Sequence, residues 1–245
     1  ITGQKPMAKR AFPFILILLA GLLAACVPST ASPTTAVPPT TLLDSTSPQL
    51  DEALPTTTHL ETEELAAPDT LPTITLPISV YILDDADGVQ SSARTVEELT
   101  AVYERVNQIW AQANIVIEVQ QIERLELTAV PLQGILRGNF QPFFNSLGNE
   151  INIPEPSLLN GFYSQGIGGP NGIAPFGTRV FFVMDTPSVH DERVTSHEIG
   201  HILGLHHVLD DPDRLMFSGT NGMLLTFEEI VVARYAAQGI LDRLR

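Results

Sequence analysis

His197 and His201 stand four residues apart, with Glu198 beside the first and Gly204 and His207 beyond the second, in the run His197-Glu198-Ile199-Gly200-His201-Ile202-Leu203-Gly204-Leu205-His206-His207. Side chains at i and i+4 lie one above the other on a helix, so both imidazoles can reach one metal ion of tetrahedral preference. Glu198 is rotated about 100° around the helix from His197. Its carboxylate can therefore stand beside such an ion without binding it, where a general base belongs. Gly204 permits the positive φ that ends a helix, which lets the chain turn back and present His207 as a third ligand. Three protein ligands leave one position open, and that opening distinguishes a catalytic zinc, which activates a water toward a carbonyl, from a structural one. The expected chemistry is hydrolysis at one Zn2+ held by His197, His201 and His207, with Glu198 moving the proton.

The complete pattern H-E-x-x-H-x-x-G-x-x-H resembles that of the metzincin zinc endopeptidases, which also place a methionine in a tight turn beneath the metal after the third histidine. Here a short acidic loop, Asp210-Asp211-Pro212-Asp213, leads to Arg214-Leu215-Met216-Phe217, and Met216 fits that turn. The resemblance implies an α+β, zincin-like fold: a twisted mixed sheet with long helices, an active-site helix, a Met-turn and a C-terminal helix. It implies peptide-bond cleavage, and a substrate that pairs with an edge strand before the active-site helix, where Gly172, Ile173 and Ala174 lie between Asn171 and Pro175. Two positions depart from subfamily patterns. Val208 follows the third histidine, and Ser218 occupies the second position after the methionine, so the extra tyrosine ligand of the astacin-like branch is absent. The likeness is to a bacterial, matrixin-like metzincin of no particular subfamily. The motif and turn cover about 20 residues and the layout about 170.

The N-terminus carries a second kind of signal. Lys5, Lys9 and Arg10 precede an apolar stretch from Ala11 to Ala25, too short to span a bilayer and built like a secretory signal. It ends in Leu23-Ala24-Ala25-Cys26, which resembles a bacterial lipobox, whose cysteine is lipidated and becomes the mature N-terminus. Cys26 is the one cysteine of the chain, so no internal disulfide is available. Residues 1–26 are read as a signal peptide with lipobox, Met7 being the expected initiator. The expected location is a cell-membrane lipoprotein exposed on the extracytoplasmic side, held by several acyl chains because one alone anchors only marginally.

From Val27 to Pro72, Pro, Ser and Thr make up 23 of 46 residues, and seven acids face no Lys or Arg. Such a segment buries too little apolar surface to offset its conformational entropy, so residues 27–72 read as a disordered acidic linker. The alternative, an inhibitory propeptide acting through a cysteine thiolate, has no thiol motif to support it.

Residues 73–245 are long enough for a sizeable core and read as the catalytic domain. Ile74 to Leu83 is apolar and β-branched, a first strand. Thr95 with Glu98 forms a capping box, and Leu99, Val102, Tyr103, Val106 and Ile109 recur at helical spacing, which predicts an amphipathic helix to about Ala113. Ile115 to Leu127 alternates as a second strand. Gly134 to Gly172, rich in Gly, Asn and Pro, admits only a short helix around Phe140–Leu147. Thr178 to Met184 reads as a buried strand. Ser188 with Asp191 offers a start for the helix that carries His197, with Asp191 and Glu192 at its positive end. Thr226 with Glu229 caps a last helix ending near Gly239.

Other features take plainer readings. Gly166, Gly168, Gly169 and Gly172 lack the lysine and context of a phosphate loop and read as turns. Asp84, Asp85 and Asp87-Gly88 lack the later ligands of a calcium loop, so structural Ca2+ is unsupported and a turn is expected. His59, His190 and His206 are not assigned to metal. The domain holds 21 acids against 10 arginines and no lysine, a net charge near −11, which argues against nucleic acid or anionic lipid as a partner. The expected partner is a peptide or protein substrate and the expected state a monomer. Two rivals stay open on sequence alone: a surface lipoprotein that binds zinc without catalysis, and a zinc hydrolase acting on cell-wall amides.

Overall fold

Apolar residues fill both phases of Ile74–Asp85 (β1) because both faces of its sheet are covered. The structure, a computed structural model, describes residues 71–244 other than 87, 150 and 154–156. Among these, β1 pairs in parallel with Ile115–Leu127 (β2) on one side and Leu159–Ser164 (β3) on the other. Val180–Met184 (β5) lies parallel to β3, and the two-residue strand Gly172–Ile173 (β4) runs antiparallel to β5 at the far edge. The order is β2-β1-β3-β5-β4, a mixed sheet in an α+β fold.

Alternation in the strands sorts their side chains onto two layers. Ile74, Leu76, Ile78, Val80 and Ile82 of β1 join Phe181 and Val183 of β5 beneath three helices: Val96–Trp110 (α1), Asp191–Ile202 (α4) and Phe227–Asp242 (α5). Tyr81, Leu83, Phe162 and Phe182 face the opposite way and pack against the short helices Ala129–Leu136 (α2) and Gln141–Ser146 (α3). Phe143 of α3 sets its ring edge against Phe162 at 5.0 Å and Phe182 at 5.2 Å.

The capping boxes fall where the sequence puts them. Thr95 accepts from the Glu98 N–H while Glu98 accepts from the Thr95 N–H, and Thr226 and Glu229 do the same for α5, which runs to Asp242 rather than ending near Gly239. The stretch Gly134–Gly172 holds more than one short helix. It contains β3, a fully buried central strand, because Gly161 is a packing glycine and not a turn: a Cβ there would sit 2.6 Å from Phe181 Cζ and 3.0 Å from the Tyr103 hydroxyl. The helix α2 begins before it and carries Pro131 and Gly134, which mask its pattern.

The start of α4 also differs from expectation. His190 holds the N-cap position and gives no side-chain cap. Ser188 instead pairs with Asn171, accepting from Nδ2 at 2.9 Å and donating its N–H to Oδ1 at 2.9 Å, which ties the entry of β4 to the loop before α4. Two ion pairs fix the first turn of α4 against neighbouring elements: Arg94 grips Asp191 through both terminal nitrogens, and Arg105 of α1 donates to Glu192 at 3.0 Å. Both acids sit at the positive end of the helix dipole. Asp84 pairs with Arg124, and Asp85 opens a turn closed by the Gly88 N–H at 2.8 Å. Cys26, the signal-like stretch, residues 27–70 of the linker and Asp87 lie outside the described residues, whereas the carbonyls of Leu71 and Pro72 accept from Asn114 and Arg234.

Candidate metal centre

The chain ends α4 with a Schellman turn, and that turn builds the site. Gly204 adopts φ +84°, the Gly204 N–H donates to the His201 carbonyl at 3.1 Å, and the Leu205 N–H donates to the Gly200 carbonyl at 2.9 Å. The reversal brings His207 back over the helix. A bridge between Val208 and Phe217, with the Val208 N–H on the Met216 carbonyl at 3.1 Å, then closes the loop.

His197, His201 and His207 converge, their ligating nitrogens all within 4.8 Å of one another. The Nε2 of His207 lies 3.1 Å from the Nε2 of His197 and 3.1 Å from that of His201. Nitrogens bound tetrahedrally at 2.0–2.1 Å from zinc sit about 3.3 Å apart, so this spacing fits the ion. Hydrogen bonding on the far side of two rings settles which nitrogen is bare. His197 Nδ1–H donates to the Leu215 carbonyl at 2.8 Å, and His201 Nδ1–H donates to the Leu205 carbonyl at 3.0 Å. Each Nε2 then offers a lone pair toward His207, whose Nε2 carries at most one proton for the two of them. A cation among the three nitrogens resolves that conflict, and the donor set suits Zn2+. Burial holds His197 at a pKa of about 3, and burial lowers His201 as well, so both imidazoles are kept in the neutral form a metal needs.

Glu198 is 5% exposed beside this triad. Burial pushes its carboxyl up to about 8, against the pull of the Arg193 charge and the Ala174 N–H. Gly172 of β4 lies against it: a Cβ on Gly172 would meet Glu198 Oε1 at 2.6 Å and Cγ at 2.8 Å. Only glycine lets the strand run this close to the carboxylate. Met216 is fully buried beneath α4, and a Cβ on Gly200 would approach its sulfur to 2.8 Å. A cleft of about 630 Å³ runs between β4 and α4, with Glu198 and the three histidines on its walls. Phe176, 98% exposed, stands at its rim. His206 also lines the cleft but does not join the triad, and His190 stays on the surface near Glu192.

One residue here was not singled out from sequence. Arg193, four residues before His197 and so on the same helical face, is 4% exposed and donates through Nη2 to the carbonyls of Leu215, at 2.9 Å, and Phe217. The Leu215 carbonyl thus receives both Arg193 and His197, and Met216 is braced on either side. The i−4 spacing is a readable signal; the shared carbonyl is tertiary and is not.

No protein-family model matches the chain, and no curated protein matches it. Among solved structures it is similar to a chain in the structure of a chaperone-substrate complex, with 14% identity and a TM-score of 0.51 over 70% of this chain and 36% of that one. It is also similar to metalloproteinase-II from Bacteroides fragilis, with 17% identity and a TM-score of 0.46 over 68% and 55% of the two chains. A third likeness, to archaemetzincin from Methanopyrus kandleri, has 16% identity and a TM-score of 0.39 over 70% and 96%. This chain spans 36% and 55% of the first two. The first likeness is one of fold.

Proposed function

We propose that the chain is a zinc-dependent endopeptidase, held at the outer face of a bacterial membrane by a lipid on Cys26. The observation that carries the catalytic reading is the juxtaposition of three converging Nε2 atoms with the buried carboxyl of Glu198. A Zn2+ bound by His197, His201 and His207 would supply Lewis acidity toward a carbonyl and lower the pKa of water at its open position to about 7. Glu198 removes a proton from the attacking water and passes it to the departing amine as the C–N bond breaks. The burial that raises its pKa brings it toward the range where one group can both accept and return a proton near neutral pH. Among the described residues, β4 pairs with β5 along one side only, through Gly172↔Val183 and Ile173↔Phe182. Its other side borders the cleft, where an extended peptide can add as a further strand and set its carbonyl near Glu198. Leu215 and Leu205 hold the imidazole planes so that ligand geometry is settled before substrate arrives.

The test uses the full chain. Zinc content is measured by mass spectrometry and cleavage by incubation with a mixed peptide library, alongside Glu198→Ala. One zinc per chain, cleavage at internal bonds and an inactive variant are expected. Zinc without cleavage, or a variant as active as the parent, overturns the reading. For the anchor, Cys26→Ser should move the protein from the membrane to the soluble extracytoplasmic fraction; a variant that stays with the membrane overturns lipidation.

A further inference from the structure

Arg193 is a buried cation without an acid. Among the described residues, Arg94, Arg105, Arg124 and Arg214 each pair with a carboxylate, whereas Arg193 makes no ion pair and feels Glu198 only at longer range. Its Nη2 is spent on the Leu215 and Phe217 carbonyls. Its Nε is enclosed and makes no hydrogen bond. Nη1 has no hydrogen-bond partner among the described residues, and the residue lines the cleft together with Ser218 and Gly219. Taking a guanidinium out of water without a counter-charge is expensive, and a buried unsatisfied donor calls for a partner. The rest of the domain is acidic, so the missing partner is not for want of carboxylates in the chain.

We propose that this end of the cleft is a subsite for an acidic side chain of the substrate, with Arg193 as its counter-charge. An aspartate or glutamate of a peptide lying along β4 would meet the Arg193 guanidinium from the cleft side. Hydrogen bonds to charged groups contribute enough to favour the acid over its amide by about ten- to a hundredfold. The inference rests on the peptidase reading for the identity of the ligand, but the site itself can be tested by binding alone.

The experiment uses the zinc-loaded full chain and pairs of peptides that differ only in Glu against Gln, or Asp against Asn, at one position. Cleavage is read as kcat/KM for the parent, and binding by calorimetry for Glu198→Gln. The acidic member is expected to win by about ten- to a hundredfold in both assays at one position relative to the scissile bond. The preference should shrink as salt rises from about 0.05 to 0.5 M, vanish in Arg193→Gln, and persist in part in Arg193→Lys. Equal handling of acid and amide by the parent overturns the subsite, as does a preference unchanged by salt or retained in an Arg193→Gln protein with full zinc. Should Arg193→Gln not fold, the salt series on the parent decides. Binding of acidic peptides without cleavage keeps the subsite and removes the peptidase. Cleavage without acid preference does the reverse.

Discussion

Replacing Gly172 by alanine tests the contact on which the cleft depends. The new Cβ would lie 2.6 Å from Glu198 Oε1 and 2.8 Å from both Glu198 Cγ and Val194 Cγ1. Ordinary contact begins near 3.4 Å, so three atoms must yield by about 0.6–0.8 Å, and two of them belong to the proposed base. The strand has little room to retreat, because β5 pairs with it on one side and the Asn171–Ser188 bonds hold its entry. Overpacking of this kind costs about 1–3 kcal/mol of stability. A shift approaching 1 Å in a reacting group costs about a hundredfold in rate, so kcat should fall about ten- to a hundredfold. None of the three atoms nearest the new methyl belongs to a histidine, and zinc stoichiometry should not change. Steady-state kinetics, metal analysis and urea unfolding would read the three effects. Gly166→Ala is the control: its nearest neighbour is Leu136 Cδ2 at 3.8 Å, and stability should stay within about 0.5 kcal/mol of the parent. A Gly172→Ala enzyme with the parent's kcat would refute the reasoning.

Glu198→Gln should stabilise the metal-free protein in a pH-dependent way. The folded pKa of about 8 lies above the ordinary 4.5, so the carboxyl's contribution is fully present below pH 4.5 and is lost as pH rises through 8. His197 acts in the opposite sense, its folded value of about 3 lying below 6.5, but it is common to both proteins and cancels in the difference. Under chelation the variant should therefore match the parent near pH 4.5 and exceed it by on the order of 3–4 kcal/mol at pH 8; a difference in urea midpoints that ignores pH would count against a buried neutral acid. Zinc at about one hundred times its Kd should add about 2.7 kcal/mol and raise the melting temperature by about 5–10 °C in calorimetry, and a melting curve indifferent to chelator would sink the metal assignment. Thr226→Ala removes one half of the α5 capping box and should cost about 1 kcal/mol in urea unfolding while leaving zinc content alone.

What could be read from residues alone follows the range of the forces involved. The capping boxes at Thr95 and Thr226, the alternation of Ile115–Leu127 and the helical period from Leu99 to Ile109 are local, and those elements begin where they are expected, although α1 ends at Trp110 and α5 at Asp242. The spacing of His197, His201 and His207 anticipates their convergence for the same reason, since one helical turn and one Schellman turn accomplish it. β3 is hidden in the sequence because Gly161 looks like a breaker until Phe181 and Tyr103 are known to fill the space above it. Ser188 resembled a cap, but Asn171, distant in sequence, competes for it. Arg193 and the Leu215 carbonyl belong to the same class: their meaning lies in a contact between a helix and a loop some twenty residues later.

The two edges of the sheet differ in a way that bears on aggregation. β2, the longer edge at 13 residues, carries Glu118, Glu123, Arg124 and Glu126, and Gln120 is skipped in its register with β1 between Ile78 and Ser79. Charge and a bulge of this kind discourage a second copy from adding to an exposed strand. β4 is two residues long, too short to template a stack of copies, yet it is the edge that opens on Glu198. The sheet thus keeps its long edge closed to a second copy and leaves open only the short one beside Glu198.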